Sequence, residues 1–261
     1  MTGVNRRFAV AVLLLVVLAL PIGCETVPYT GRHQIQLVSP SEEAQMGVQS
    51  YKEIVGKATL STDAQATAMV QRVGSRIAAV TDLKYEWEFR LIQDDKQANA
   101  FALPGGKVAV YTGMLTITRD EAGLAAVLGH EIAHVLARHG GERVSQQMGV
   151  QTVTQVLAGM ASSNPATVQL VSAALGAGAS VGVLMPFGRA QESEADHVGL
   201  ILMAKAGYDP RASLELWKRM AEAAKGQRPP EFLSTHPSEA TRIQQIQGWL
   251  PEALTYYRPA R

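Results

Sequence analysis

The stretch that most restricts how this chain can fold is VLGHEIAHVLARHG, residues 127–140, an apolar run with two histidines and a glutamate near its centre. A buried imidazole or carboxylate costs free energy unless a partner satisfies it, and the carboxylate costs more. The fold must therefore bring partners to this helix. At about 3.6 residues per turn, His130 and His134 lie one turn apart on one face, and Glu131 projects from the next position round. Two imidazoles on one face can grip one metal ion. HExxH reads mechanically as two zinc ligands plus a glutamate that serves as general base on water at the metal.

A catalytic zinc site usually takes three protein ligands and a water, so a third ligand must come from elsewhere. A nearby histidine fails on spacing: in an HExxHxxGxxH frame, Ala137 replaces the glycine, Gly140 takes the last position and His139 falls one residue early. QESEADHVG, residues 191–199, offers carboxylates instead. Glu192 and Asp196 are four apart and share a helix face, so one can bind metal while the other orients a ligand imidazole through its second ring nitrogen. Glu194 is expected to point elsewhere. Taken alone, such a cluster also suits an ordinary helix start.

With 261 residues, 47% apolar and 18% charged, the chain can bury a large core as one domain. Its net charge of +1 and scattered basic residues exclude an electrostatic footprint for nucleic acid. The N-terminus is unlike the rest. MTGVNRR is basic, FAVAVLLLVVLAL gives thirteen uninterrupted apolar residues, and PIGC ends in the single cysteine, Cys24. That order reads as an export signal, its apolar run being shorter than the about 20 residues a spanning helix needs. A lone cysteine forms no internal disulfide. The stretch resembles a bacterial lipoprotein signal, with Pro21 where that pattern prefers Leu; a cleaved or uncleaved ordinary signal is the alternative. The expected organisation is a signal over 1–23, lipidation at Cys24, a polar tether over 24–40 and one domain over 41–261.

Periodicity places the remaining elements. Helices are expected over 41–56, over 61–80 with Ser61 or Thr62 as cap, from near Asp120 to the Gly140-Gly141 stop, over 191–206, and from Asp209-Pro210 to about 224. YEWEFRLI alternates as a half-wet strand, and strands over 99–103 and 107–112 flank the turn Pro104-Gly105-Gly106. From Glu142 to Met185 the chain looks helical but rich in small residues. For 168–185 a small-residue helix or loop packed on the protein is preferred over a membrane contact. GQRPPEF is a linker before a short final helix ending near Trp249. His139 and His197 are expected as capping or packing residues, and His33 as exposed.

NAFALPGG, GHEIAHVLARH, RAQESEADHVGL and LSTHPSEATRI, in that order, resemble the HtpX- and BepA-like zinc metalloendopeptidases, which include the CAAX prenyl proteases and the mitochondrial Oma-type protease. The resemblance implies an α+β, mostly helical, zincin-like domain with a small sheet beside the HExxH helix, and one Zn2+ per chain. It makes His130, His134 and Glu192 the zinc ligands, Glu131 the catalytic acid/base, Asp196 a residue orienting a ligand, and His236 a residue near the metal that either stabilises the oxyanion or closes the site. Arg242 matches an arginine near that histidine. The tetratricopeptide region of BepA-like relatives is expected to be lacking.

The expected function is hydrolysis of misfolded or unfolded exported proteins, with substrate pairing along an edge strand formed by Asn99, Ala100, Phe101 and Ala102. The expected place is the bacterial envelope, lipid-anchored at the outer membrane facing the periplasm, with envelope protein-assembly factors as further partners. Two rivals stay open: a latent scaffold that binds envelope proteins in a chaperone-like way, with zinc closed off by His236, and a hydrolase of cell-wall peptides.

Overall fold

The computed structural model describes residues 23–162, 164–226, 229–236 and 241–259. Apart from Gly23, the expected signal lies outside them, as does Pro237 beside His236.

Helices dominate, and two small sheets complete the α+β architecture. Helix α1 (Pro40–Val55) opens with a capping box: the Ser39 hydroxyl accepts from the Glu42 amide, and the Glu42 carboxylate accepts from the Ser39 amide. Helix α2 (Ala64–Ala78) is capped by Asp63, which accepts from the Ala66 amide, and not by Ser61 or Thr62. A carboxylate there also complements the helix dipole.

Strands β3 (Glu88–Ile92), β4 (Ala100–Leu103) and β5 (Lys107–Tyr111) form one sheet in the order β3-β5-β4, with β3 parallel and β4 antiparallel to the central β5. Gly105 and Gly106 turn β4 into β5 at φ +85° and +78°, left-handed angles that other residues rarely adopt. This tight return leaves β4 at an edge.

The stretch expected as a polar tether is instead largely an antiparallel hairpin, β1 (Gly23–Thr26) paired with β2 (His33–Gln36). Its anchors are polar. Gln34 and Gln36 are buried, and their side-chain amides donate to the Ala137 and Arg138 carbonyls at 2.9 and 3.0 Å. An element held by polar contacts has no alternating apolar signal, so periodicity does not reveal it.

After α3 (Thr112–Thr118), helix α4 (Glu121–Leu136) starts from its Asp120 cap, as the sequence predicts, but stops before the two glycines. Arg138 takes φ +55°, and α5 (His139–Ala161) begins immediately. Glu43 of α1 explains the restart: its carboxylate accepts from Arg138 Nε at 2.9 Å and from the Gly141 amide at 2.8 Å, capping α5 from outside. Helix α6 (Pro165–Ala179), a π-helical turn (Ser180–Leu184) and α7 (Met185–Lys205) follow without a break, so α7 starts earlier than Gln191. The small-residue stretch is helical, yet α6 buries none of its residues. No helix among the described residues is long and apolar enough to cross a membrane. Helices α8 (Arg211–Ala223), α9 (Phe232–Thr235) and α10 (Arg242–Tyr256) complete the chain.

Helix α4 runs through the core, where Leu124, Leu128 and Ile132 pack with Val70, Val73 and Ile77 of α2, Val108 and Val110 of β5, and Leu200 and Met203 of α7. Burying each such side chain contributes about 1.5–3 kcal/mol. At the crossing of α4 and α7 two glycines meet. A Cβ on Gly129 would lie 2.8 Å from the Gly199 carbonyl oxygen, and one on Gly199 would lie 2.9 Å from the His130 amide nitrogen. This close approach brings the acidic face of α7 against His130 and His134.

Candidate metal centre

Three elements aim ligand atoms at one point. Helix α4 supplies His130 and His134, α7 supplies Glu192, and the C-cap of α9 supplies His236, whose ring stacks on Phe232 with centroids 4.4 Å apart. His130 Nε2 and His134 Nε2 are 3.1 Å apart, and they lie 3.3 and 3.4 Å from the two Glu192 oxygens. His236 Nδ1 is 3.0 Å from Glu192 Oε2. The ligand atoms of all four residues fall within 4.8 Å of one another, and every one of these side chains is largely buried. Three imidazole nitrogens and a carboxylate converging in a dry site fit a cation, and the nitrogen and oxygen donors suit zinc.

The site's electrostatics follow from burial and close pairing. Burial alone would lower the His130 imidazole, but hydrogen bonds to Asp196 and Glu192 push it up to about 9. His134, with no such excess of partners, is pushed well below its ordinary value by burial. Burial works against ionised Glu192, yet the facing imidazoles of His130, His134 and His236 hold it well below the carboxylate range. Behind His130, Asp196 Oδ1 lies 2.9 Å from Nδ1, and Arg242 donates to the same carboxylate at 2.5 and 2.9 Å. Arg242 also lies over the Trp217 ring, 3.5 Å from its centroid. Its charge holds the Asp196 carboxyl below its ordinary value despite burial.

Glu131 is different. The Ala102 amide of β4 donates to its Oε2 at 3.1 Å. Its Oε1 lies 3.2 Å from His236 Nε2 without hydrogen-bond geometry, and so is a buried oxygen with no partner. Such an atom is costly, about 1–3 kcal/mol. It suits a site that takes up a polar ligand or water beside the metal position. Burial raises the Glu131 pKa, with Glu192 adding to the shift against the opposing charges of His236 and His130. Phe101, Ala102 and Leu103 line a cleft with Glu131, His134 and His236.

Residues 64–250 match the model of Peptidase family M48. This chain belongs to that family. It is 41% identical to the mitochondrial metalloendopeptidase OMA1 of Schizosaccharomyces pombe, over 88% of this chain and 67% of that protein. It is 36% identical to the Saccharomyces cerevisiae OMA1 over 66% of this chain and 49% of that protein. It is 30% identical to the beta-barrel assembly-enhancing protease of Escherichia coli, over 84% of this chain and 46% of that protein. The M48 chain thus spans about half the length of the last two relatives.

Within this M48 chain the structure gathers His130, Glu131, His134, Glu192, Asp196, His236 and Arg242 into one buried cluster. The four residues of the expected substrate strand divide. Phe101 and Ala102 reach the cleft, whereas Ala100 is sealed in the core at 1% exposure and the Asn99 side chain accepts from the Ala100 amide. Cys24 is exposed on β1, away from any disulfide. His197 stacks on Trp249, the packing role expected for it. Two expectations gain detail. His139, expected as a capping or packing residue, has its ring between His134 and Glu194; and Glu194, which points away from the ligand atoms as expected, is buried there with Arg32. The available signal was the glycine pair after His139, which marks a helix interruption but not the residue that it turns inward.

Proposed function

We propose that this M48 chain is a zinc-dependent metalloendopeptidase that cuts misfolded or unfolded exported polypeptides in a bacterial cell envelope. The observation that carries the reading is the convergence of His130, His134 and Glu192 beside the partnerless Oε1 of buried Glu131. Zinc, when bound, supplies a Lewis acid that acidifies water and polarises a carbonyl. Glu131 takes the proton of the attacking water and delivers it to the leaving nitrogen. The Ala102 amide fixes the carboxylate for both transfers. Asp196, gripped by Arg242, holds His130 by its second ring nitrogen and so aims Nε2 at the metal. His236 is close enough to donate a hydrogen bond where negative charge develops.

An extended substrate would lie along the β4 edge at Phe101–Leu103, which lines the cleft. Main-chain pairing selects little by side chain, which suits unfolded polypeptides. The export signal and exposed Cys24 support lipid anchoring, at the outer membrane facing the periplasm. The similarity to a beta-barrel assembly-enhancing protease supports envelope assembly factors as partners.

The test is zinc content and cleavage of an unfolded protein by the purified chain beside Glu131→Gln. One zinc per chain in both, with cleavage reduced on the order of 10²–10⁴-fold in the variant, is the expected result. Full cleavage by the variant would remove Glu131 from the mechanism. A second reading is favoured by the place of His236 among the ligand atoms: a closed, latent site that binds polypeptides without cutting them. Zinc without cleavage in the wild type, and cleavage released by His236→Ala, would establish that closure.

A further inference from the structure

His139 and His134 face each other Nδ1 to Nδ1 at 2.7 Å, and His139 Nε2 lies 2.9 Å from Glu194 Oε2. Glu194 also accepts from Arg32 Nε at 2.8 Å and from the Thr30 hydroxyl. The far side of the Arg32 guanidinium donates to Glu142 at 2.7 and 2.8 Å, and Gln191 donates to Glu142 as well. His139, Glu142 and Glu194 are 1%, 2% and 7% exposed, so the chain has little water to correct a misplaced proton.

One constraint sets every hydrogen bond in this chain. A His134 that offers Nε2 to a metal carries its proton on Nδ1 and must donate there. His139 then accepts at Nδ1, carries its own proton on Nε2 and donates to Glu194. The carboxylate ends the chain as acceptor for an imidazole, a hydroxyl and a guanidinium. Reversing the middle bond would set two donors, or two acceptors, face to face.

We infer that His139 is the positioning residue for the metal ligand His134, and that the β1–β2 hairpin, through Arg32, is the outer clamp of the metal centre. The inference rests on the metal-site reading above. Metal-bound histidines are commonly oriented by a carboxylate or carbonyl on the second nitrogen. Here an imidazole takes that place and passes the contact on to a carboxylate. The turn at Arg138 makes it feasible: on a continuous helix, His139 would lie about 140° round from His134 and could not face it.

Zinc affinity of the full chain would be measured by competition with a chromogenic chelator for the wild type, His139→Leu, His139→Asn and Arg32→Met, alongside thermal unfolding of the zinc-free proteins. Asparagine sets an acceptor oxygen where His139 Nδ1 stands, but has nothing to reach Glu194. His139→Leu should weaken zinc binding roughly 10–100-fold. His139→Asn should recover part of that loss, and Arg32→Met should weaken binding several-fold. Lower unfolding temperatures with unchanged zinc affinity would mean a merely structural role and would overturn the inference. If His139→Leu does not fold, the other two decide, and affinities within about twofold of wild type in both overturn it. A wild type that binds no zinc at all would defeat the metal-site reading itself, an outcome no His139 variant can imitate.

Discussion

His130 leans on Asp196, whose carboxylate is gripped by Arg242, whereas His134 leans on His139, which hands the contact to Glu194 and Arg32. The first support is built wholly inside the domain. Its two charged side chains are 4% and 2% exposed, and Trp217 covers the guanidinium. The second ends on an arginine whose side chain is 26% exposed, in a hairpin that precedes the stretch matched by the family model. One imidazole is thus held by the family domain alone, and its neighbour one helical turn away is held partly by what comes before it. Two histidines of one motif need not share the origin of their rigidity.

The comparison breaks most visibly at Arg242. Arg242→Ala strands buried Asp196, and the loss of stability should be about 3–5 kcal/mol in urea unfolding. A loss below 1 kcal/mol would mean that the internal support is not the stiffer one. Asp196→Asn is milder. It keeps a side chain of the same size beside His130 and should weaken zinc binding roughly 10–100-fold. Equal zinc affinity would show that His130 needs no carboxylate.

Arg32→Met is expected to cost less than Arg242→Ala, about 1–3 kcal/mol, since water can reach part of the vacated site. The same urea series checks the order, and the reverse order would sink the contrast between inner and outer supports. A pH slope tests the same outer support. Burial would raise Glu194, but His139, Thr30 and Arg32 hold it down to about 2, below the unfolded value of 4.5. A depressed carboxylate contributes stability that is complete above its unfolded pKa and is lost as pH falls through the folded one. Zinc-free protein should therefore lose stability between about pH 4.5 and 2, and Glu194→Gln should flatten that slope. An unchanged slope would show that the hairpin does not hold Glu194 ionised.

The same contrast marks what the sequence made legible. Glu192 and Asp196 share a helix face four residues apart, and HEIAH shares another, so spacing shows the donors of the inner half, while their assignment and the place of Arg242 come from the family resemblance. The core strands and most helix starts were equally readable, because caps such as Asp120 and the alternation of Phe89 and Leu91 are local. The outer half is not local. Arg32 meets Glu194 across 162 residues of sequence, and the hairpin that carries it is seated by buried glutamines, with no apolar stripe. The turn inward at His139 depends on a positive φ at Arg138 and a cap donated by Glu43 from α1. Neither leaves a periodic trace. Ala100 shows the opposite limit: a strand's outline shows that it pairs, but not which of its side chains the core takes.

The docked hairpin also decides how far the peptidase could roam from the lipid anchor proposed at Cys24. As a free leash, residues 24–40 would extend on the order of 60 Å. Folded back on α5, with Cys24 already in strand register with Ile35, they offer almost no slack. A lipid on Cys24 would then hold the domain directly against the bilayer, and polypeptides would have to come to the membrane surface to be cut.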